Sequence, residues 1–220
     1  MKTIIAIATT LMIAGCGGMN NNKPMNTLPD IVQVGHSILS RDTTELNGFP
    51  TLTSEQCLAL HNQTKCDVPA GSQLIGERSV NNGMSLSAYR IPLGEEPNHF
   101  KVFLVIRDNK DKIIDFIDLH EFHTSEHKMP LRFGGNRFYT TDATLIFDDD
   151  QHFTLHRMMT LTSLFLKDHK LTEMWRVEWD NHYEIDEKGH FIFKSQQETH
   201  RTPNDLDDPM INEFKARDLQ

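Results

Sequence analysis

The sequence predicts a mainly β domain: an antiparallel meander of hairpins forming a sandwich or a curved half-barrel, with a short N-terminal helix and a short C-terminal helix. Three observations predict it. Turn-forming clusters of Asn, Asp and Gly recur between short apolar runs, the runs are rich in Ile, Val, Phe, Tyr and Leu, and several of them alternate apolar with polar at period two. With 220 residues, 38% hydrophobic and 24% charged, the chain is long enough to bury a core of its own.

Taken in order, residues 31–39 read as a first strand. Residues 54–61 read as a short helix, because Thr53 and Gln56 have capping-box spacing and Leu58 and Leu60 supply apolar contacts. Four hairpins follow. Asn81-Asn82-Gly83 joins residues 74–80 to 84–91, and Asp108-Asn109-Lys110-Asp111 joins 100–106 to 113–119. Asp148-Asp149-Asp150-Gln151 joins 143–147 to 153–161, and Asp186-Glu187-Lys188-Gly189 joins 183–185 to 191–193. Asn, Asp and Gly tolerate the left-handed backbone angles of tight turns. Within residues 173–179, Trp175, Val177 and Trp179 fall on one face and Met174, Arg176 and Glu178 on the other, which predicts one buried side. The pair 102–106 and 113–119 is apolar on both faces, as expected where a sheet is covered twice. Residues 196–208 are polar, and Asp208-Pro209 caps a last helix over 209–217, with Met210 and Phe214 four apart to dock it.

Residues 4–14 form an apolar run behind Lys2, broken only by Thr9 and Thr10, and end in small residues. A membrane-spanning helix needs about 20 apolar residues, so this stretch reads as a signal peptide. Ile13-Ala14-Gly15-Cys16 resembles the lipobox of bacterial lipoproteins, in which a peptidase cuts before the cysteine and fatty acids are attached at its sulfur. The resemblance covers the first 16 residues. It implies lipidation at Cys16 and a signal peptide over 1–15; composition and patterning divide the rest into a flexible tether over 16–30, a single β-rich domain over 31–198 and a polar tail over 199–220. Two or three acyl chains hold a protein stably on a membrane, each buried methylene contributing about 0.8 kcal/mol. Gly17 rather than Asp after the cysteine goes, in many lipoproteins of Gram-negative bacteria, with passage to the outer membrane, so the expected address is the cell envelope, outer membrane, facing the periplasm.

The chain has three cysteines. With lipid on Cys16, Cys57 and Cys66 remain as an even pair, and in an exported protein they are expected to form a disulfide. Two free thiols, or a metal site needing further ligands, are the competing readings; His61 lies between them, but the spacing fits no zinc signature.

Charge narrows the partners. Acidic residues number 31 against 22 Lys and Arg, for a net charge of −9, and the basic residues are scattered, which excludes a phosphate-tracking stripe and with it nucleic acid. Among 12 histidines the densest cluster is His120, His123 and His127, which on a helix would form one stripe able to hold zinc, copper or nickel. His123-Thr-Ser-Glu-His127 also fits the H-x-x-E-H pattern of inverted zinc peptidases, but the segment follows a strand and runs into Pro130, so a solvated loop is the default. His152 and His156 on an extended strand stand about 13 Å apart and cannot share one ion. The run Asp148-Asp149-Asp150 lacks the spaced oxygens of a calcium loop. No nucleophile elbow and no phosphate-binding glycine loop is present in the sequence.

The expected function is therefore a non-enzymatic binding or interaction module on a lipid tether, without a cofactor, of the assembly-accessory, inhibitor or immunity type, with an envelope protein as partner. One alternative is a carrier that holds a lipid or acyl chain in an apolar groove lined by Trp175, Trp179 and Phe193, similar in strand count and anchoring to the half-barrels of lipoprotein-sorting factors. A second is a metal-binding protein using His120, His123 and His127, with zinc as the ion.

Overall fold

A computed structural model describes residues 27–34, 49–93, 100–119, 135–165, 170–203 and 207–217. Two antiparallel sheets face each other. One runs through β2 (Gln73–Val80), β3 (Met84–Pro92), β4 (Phe100–Arg107) and β5 (Ile113–Leu119) in sequence order. The other has the order β1-β6-β7-β8-β9, from β1 (Ile31–Val34), β6 (Gly135–Phe147), β7 (His152–Phe165), β8 (Lys170–Ile185) and β9 (Phe191–Thr202). Helix α1 is Ser54–Thr64 and helix α2 is Pro209–Arg217. Of the predicted architectures the sandwich forms; the described strands close no barrel.

All four predicted hairpins are present, and the turn chemistry explains them. In the β4–β5 turn Asp108 Oδ1 accepts the amides of Lys110 and Lys112, while Asp111 takes φ 64°. In the β8–β9 turn Asp186 Oδ1 accepts those of Lys188 and His190, while Gly189 takes φ 85°. In each turn one carboxylate satisfies two backbone donors and one residue supplies the left-handed angle. Helix α1 carries the capping box in full: Thr53 Oγ1 accepts from the Gln56 amide, and Gln56 Oε1 accepts from the Thr53 amide. It runs one turn past the predicted end and stops where Lys65 turns left-handed.

The core follows from unequal strand lengths. The 16 residues of β8 span about 50 Å, whereas the 8 residues of β4 span about 25 Å, so the short sheet cannot cover the long one. Where they overlap, Leu86, Val102, Leu104 and Ile106 meet Leu145, Phe153, Leu155 and Tyr183 in the inter-sheet core. Where the long sheet outruns its partner, the same face carries Met159, Leu161, Trp175, Val177 and Trp179, and α2 lays Ile211 and Phe214 on them. Buried Arg157 and Asn181 separate the two apolar regions, and Asn181 Oδ1 accepts from Gln196 on β9. The docking helix occupies the predicted span, anchored by Ile211 and Phe214, with Met210 only partly buried.

Helix α1 covers the outer face of the short sheet, packing Cys57 and Leu60 with Tyr89, Ile91, Phe103 and Val105. Strand β4 is therefore buried on both faces, which accounts for the apolar run from Val102 to Ile106. Strand β5, expected to share that burial, is an edge strand and leaves Phe116 exposed.

The sheet edges are managed individually. Residues 27–34 strap one edge of the sandwich: Thr27 bridges Glu77 on β2, the Leu28 amide donates to Glu77 O, and β1 then pairs with β6 from Ala143 to Ile146. The short sheet's β5 edge is blocked by side chains, with Gln63 Oε1 taking the Ile113 amide and Asp115 Oδ1 taking the Phe116 amide. The β9 edge is broken by register shifts opposite Glu178/Trp179 and His182/Tyr183, a distortion that opposes edge-to-edge pairing.

Candidate functional site

Cys16, His120, His123 and His127 lie outside the described residues. Among the described residues no group of three or more His, Cys, Asp or Glu side chains is placed to hold a metal ion, and no helix is long and apolar enough to cross a membrane. His152 and His156 do point outward from β7 into separate contacts: His152 Nδ1 meets Asp149 and His156 Nδ1 meets Asp180 at 2.7 Å.

Cys57 and Cys66 are both free thiols, so the expected disulfide is not formed here. Cys57 Sγ, buried against the sheet, faces the Pro69 carbonyl at 3.7 Å, and Cys66 Sγ, beyond the left-handed cap, faces the Thr64 carbonyl at 3.8 Å. Burial pushes the Cys57 thiol pKa up. His61 Nδ1 lies 2.7 Å from Cys66 O and so engages the backbone rather than the sulfurs.

Trp175 and Trp179 come together, but under α2: Trp179 is 0% exposed and Lys215 of α2 stands over its ring. Phe193 sits elsewhere, 40% exposed at the β9 edge and edge-on to Tyr183. The three do not line one open groove.

Two concavities among the described residues are lined by polar and charged side chains. The larger, about 570 Å³, lies beside the strap between Thr27 and Asp30, the β2 residues Glu77, Arg78 and Ser79, and the β6–β7 turn from Phe147 to Asp150. Its charge is mostly acidic. Arg78, its one cation, is already pinned: it donates to Asp30 Oδ1 at 2.6 Å and to Leu28 O, and lies 4.4 Å from the centre of the Phe147 ring. The turn is rigid, since Asp149 Oδ1 accepts the Gln151 and His152 amides and Asp148 accepts from Thr154. The Gln151 amide, with the His152 ring beside it, holds the Asp149 carboxyl below the usual carboxylate range, so it stays ionised. Asp150 projects from that fixed turn into solvent.

The smaller concavity, about 240 Å³, lies between α1 and the short sheet. Its wall is the α1 stripe Gln56, Ala59, Leu60 and Gln63, and its floor carries Glu77, Tyr89, Arg107 and Asp111. Beneath the floor, Ser87 is 0% exposed; its hydroxyl donates to Glu77 Oε1 at 2.8 Å and accepts from Arg107 Nη1 at 3.0 Å. Arg107 Nε also meets Asp111 Oδ1 at 3.3 Å, and the guanidinium stands 5.6 Å from the centre of the Tyr89 ring. One buried serine thus fixes a carboxylate and a guanidinium side by side.

Comparison with known proteins finds no matching family model, no matching curated protein and no matching solved structure.

Sequence reasoning missed both concavities. The Glu77–Ser87–Arg107 network joins three strands through positions that form no local motif, and its only trace in the sequence is Ser87, a polar residue next to Tyr89 and Ile91 on one strand face. The acidic cleft had a visible half, Asp148-Asp149-Asp150, but its other half arrives with the strap.

Proposed function

We propose that this chain is a lipid-anchored protein of the bacterial envelope whose sandwich is a non-enzymatic recognition module for a protein partner presenting basic side chains. The observation that carries the reading is the cleft beside the strap: concave, built on a hydrogen-bonded turn, and lined by the carboxylates of Asp30, Asp148, Asp149 and Asp150 around a cation that already pairs with Asp30. A preorganised acidic surface of this kind meets Lys or Arg without paying to reorganise itself, and complementary charge raises the rate and selectivity of encounter. The cleft begins at Thr27, so the tether running from Cys16 leads directly to it, and an acidic surface held there is repelled by anionic headgroups rather than laid upon them.

Two measurements test it together. Fatty-acid labelling in cells marks the chain and is lost in Cys16→Ser. Envelope pull-downs compared quantitatively between the native chain and Asp150→Lys yield a partner whose recovery falls about tenfold in the variant, the effect of one lost and one repulsive charge contact. Absence of label, or an identical set of captured proteins from both baits, overturns the proposal.

A further inference from the structure

We propose that the pocket between α1 and the short sheet is a binding site for one uncharged, hydroxyl-bearing ring, the size of a single sugar unit. The geometry selects this class by elimination of the others. Its volume of about 240 Å³ lies below the range typical of drug-sized ligand pockets and suits one small ring. The charged groups at the floor are Glu77, Arg107 and Asp111, two carboxylates flanking one guanidinium, so a carboxylate or phosphate ligand meets net negative charge. An apolar ligand leaves the polar wall and floor without partners, at the cost of desolvating each.

The wall is specific in its polarity. Gln56 Oε1 accepts the Thr53 amide at 2.8 Å, and Gln63 Oε1 accepts the Ile113 amide at 3.3 Å. Each oxygen is consumed by a backbone donor, which settles the orientation of both amides and leaves both NH₂ groups as donors. The two residues are seven apart on α1 and share one face with Ala59 and Leu60 between them. On the opposite side, Glu77 keeps one oxygen free of the Ser87 bond and Asp111 opens the rim, both acceptors. A pocket with donors on one wall and carboxylates on the other is matched by hydroxyl groups, which accept on one side and donate on the other. Leu52, Leu60 and Leu74 give the C–H faces of such a ring an apolar seat. Ser87, fully buried, is a positioning residue: it touches no ligand and holds Glu77 and Arg107 in register.

The test uses substitutions that keep every structural bond. Gln56→Glu retains the oxygen of the capping box and Gln63→Glu retains the acceptor for the Ile113 amide, while each removes a donor. Saturation-transfer NMR on the full chain in detergent micelles, with methyl α-D-glucopyranoside and N-acetylglucosamine as neutral probes and acetate and ethylammonium as charged ones, reads binding at millimolar concentrations. The expected result is transfer to the ring protons of a neutral probe, with binding about 30-fold weaker in Gln56→Glu/Gln63→Glu, the loss of two hydrogen bonds of ordinary strength, at an unchanged melting temperature. No transfer to either neutral probe, equal transfer in the double variant, or stronger transfer to acetate or ethylammonium overturns the proposal. Neither substitution touches the cleft beside the strap, so this reading and the protein-recognition reading fail separately.

Discussion

Gly189 and Gly83 both sit in hairpin turns with similar left-handed angles, φ 85° and 72°, yet alanine should cost far more at one than at the other. A Cβ at Gly83 meets nothing within 4 Å. A Cβ at Gly189 lands 2.7 Å from Met84 Sδ and 3.1 Å from both Ile106 Cγ2 and Ile114 Cδ1, because the β8–β9 turn is pressed onto the end of the short sheet. A left-handed alanine costs about 1–2 kcal/mol, offset by about 0.4–1 kcal/mol from a less flexible unfolded chain. Gly83→Ala should therefore lose about 1 kcal/mol. Gly189→Ala adds overpacking of about 1–3 kcal/mol and should lose about 2–4 kcal/mol in all. Met84 is flexible at its end, but Ile106 is fully buried and its methyl has nowhere to retreat. At about 2–4 °C per kcal/mol for a chain this long, the melting temperatures should fall by about 3 °C and about 10 °C respectively. Urea unfolding of the two variants beside the native protein measures the difference directly. Equal losses would show that the turn does not press on the second sheet and that the sandwich closes differently at this end.

Glu198 supplies a pH signature: Arg201, and then Lys215 of α2, hold its carboxyl down to about 2 against the cost of burial. Because the folded value lies below the unfolded one, the contribution is present above about pH 4.3 and is lost as pH falls toward 2. Glu198→Gln should cost about 1 kcal/mol at pH 7, discounted for solvent screening, and the gap from the native protein should close in acid; a gap independent of pH refutes the pairing. Phe214→Ala should loosen α2 at a cost of about 3 kcal/mol and shift tryptophan emission to the red, since the only two tryptophans lie beneath that helix. Unchanged emission would mean that α2 does not cover them.

Local chemistry made most of the fold legible. The capping box at Thr53 and Gln56, the four hairpin turns and the α2 span are each written in a few adjacent residues, and each forms as read. Strand ends were less visible. Residues 135–142 and 196–202 carry too many polar groups to look like strand interiors, yet they pair because neighbouring long strands offer them partners. The double burial of β4 was readable from its apolar run, whereas β5 misled, since an apolar edge strand and a central one have the same composition. The tryptophan stripe announced a buried face without saying what buries it, and a helix at the far end of the chain fills that place. Neither concavity could be read, because each is assembled from strands distant in sequence, with only a lone serine and an acidic turn as traces.

The strap also sets an order of events. Ile31 pairs with Ile146 and Thr27 with Glu77, so a chain emerging amino terminus first must hold residues 27–34 idle until β2 and β6 exist. Closing so long a loop is slow to be rewarded, and the clasp cannot set before β2 and β6 are in place. Until then the outer rims of β2 and β6 stand bare on the same flank, the one nearest the tether. While those rims are uncovered they offer a stray strand a place to pair, and the exposure ends when the amino-terminal segment finds its way home.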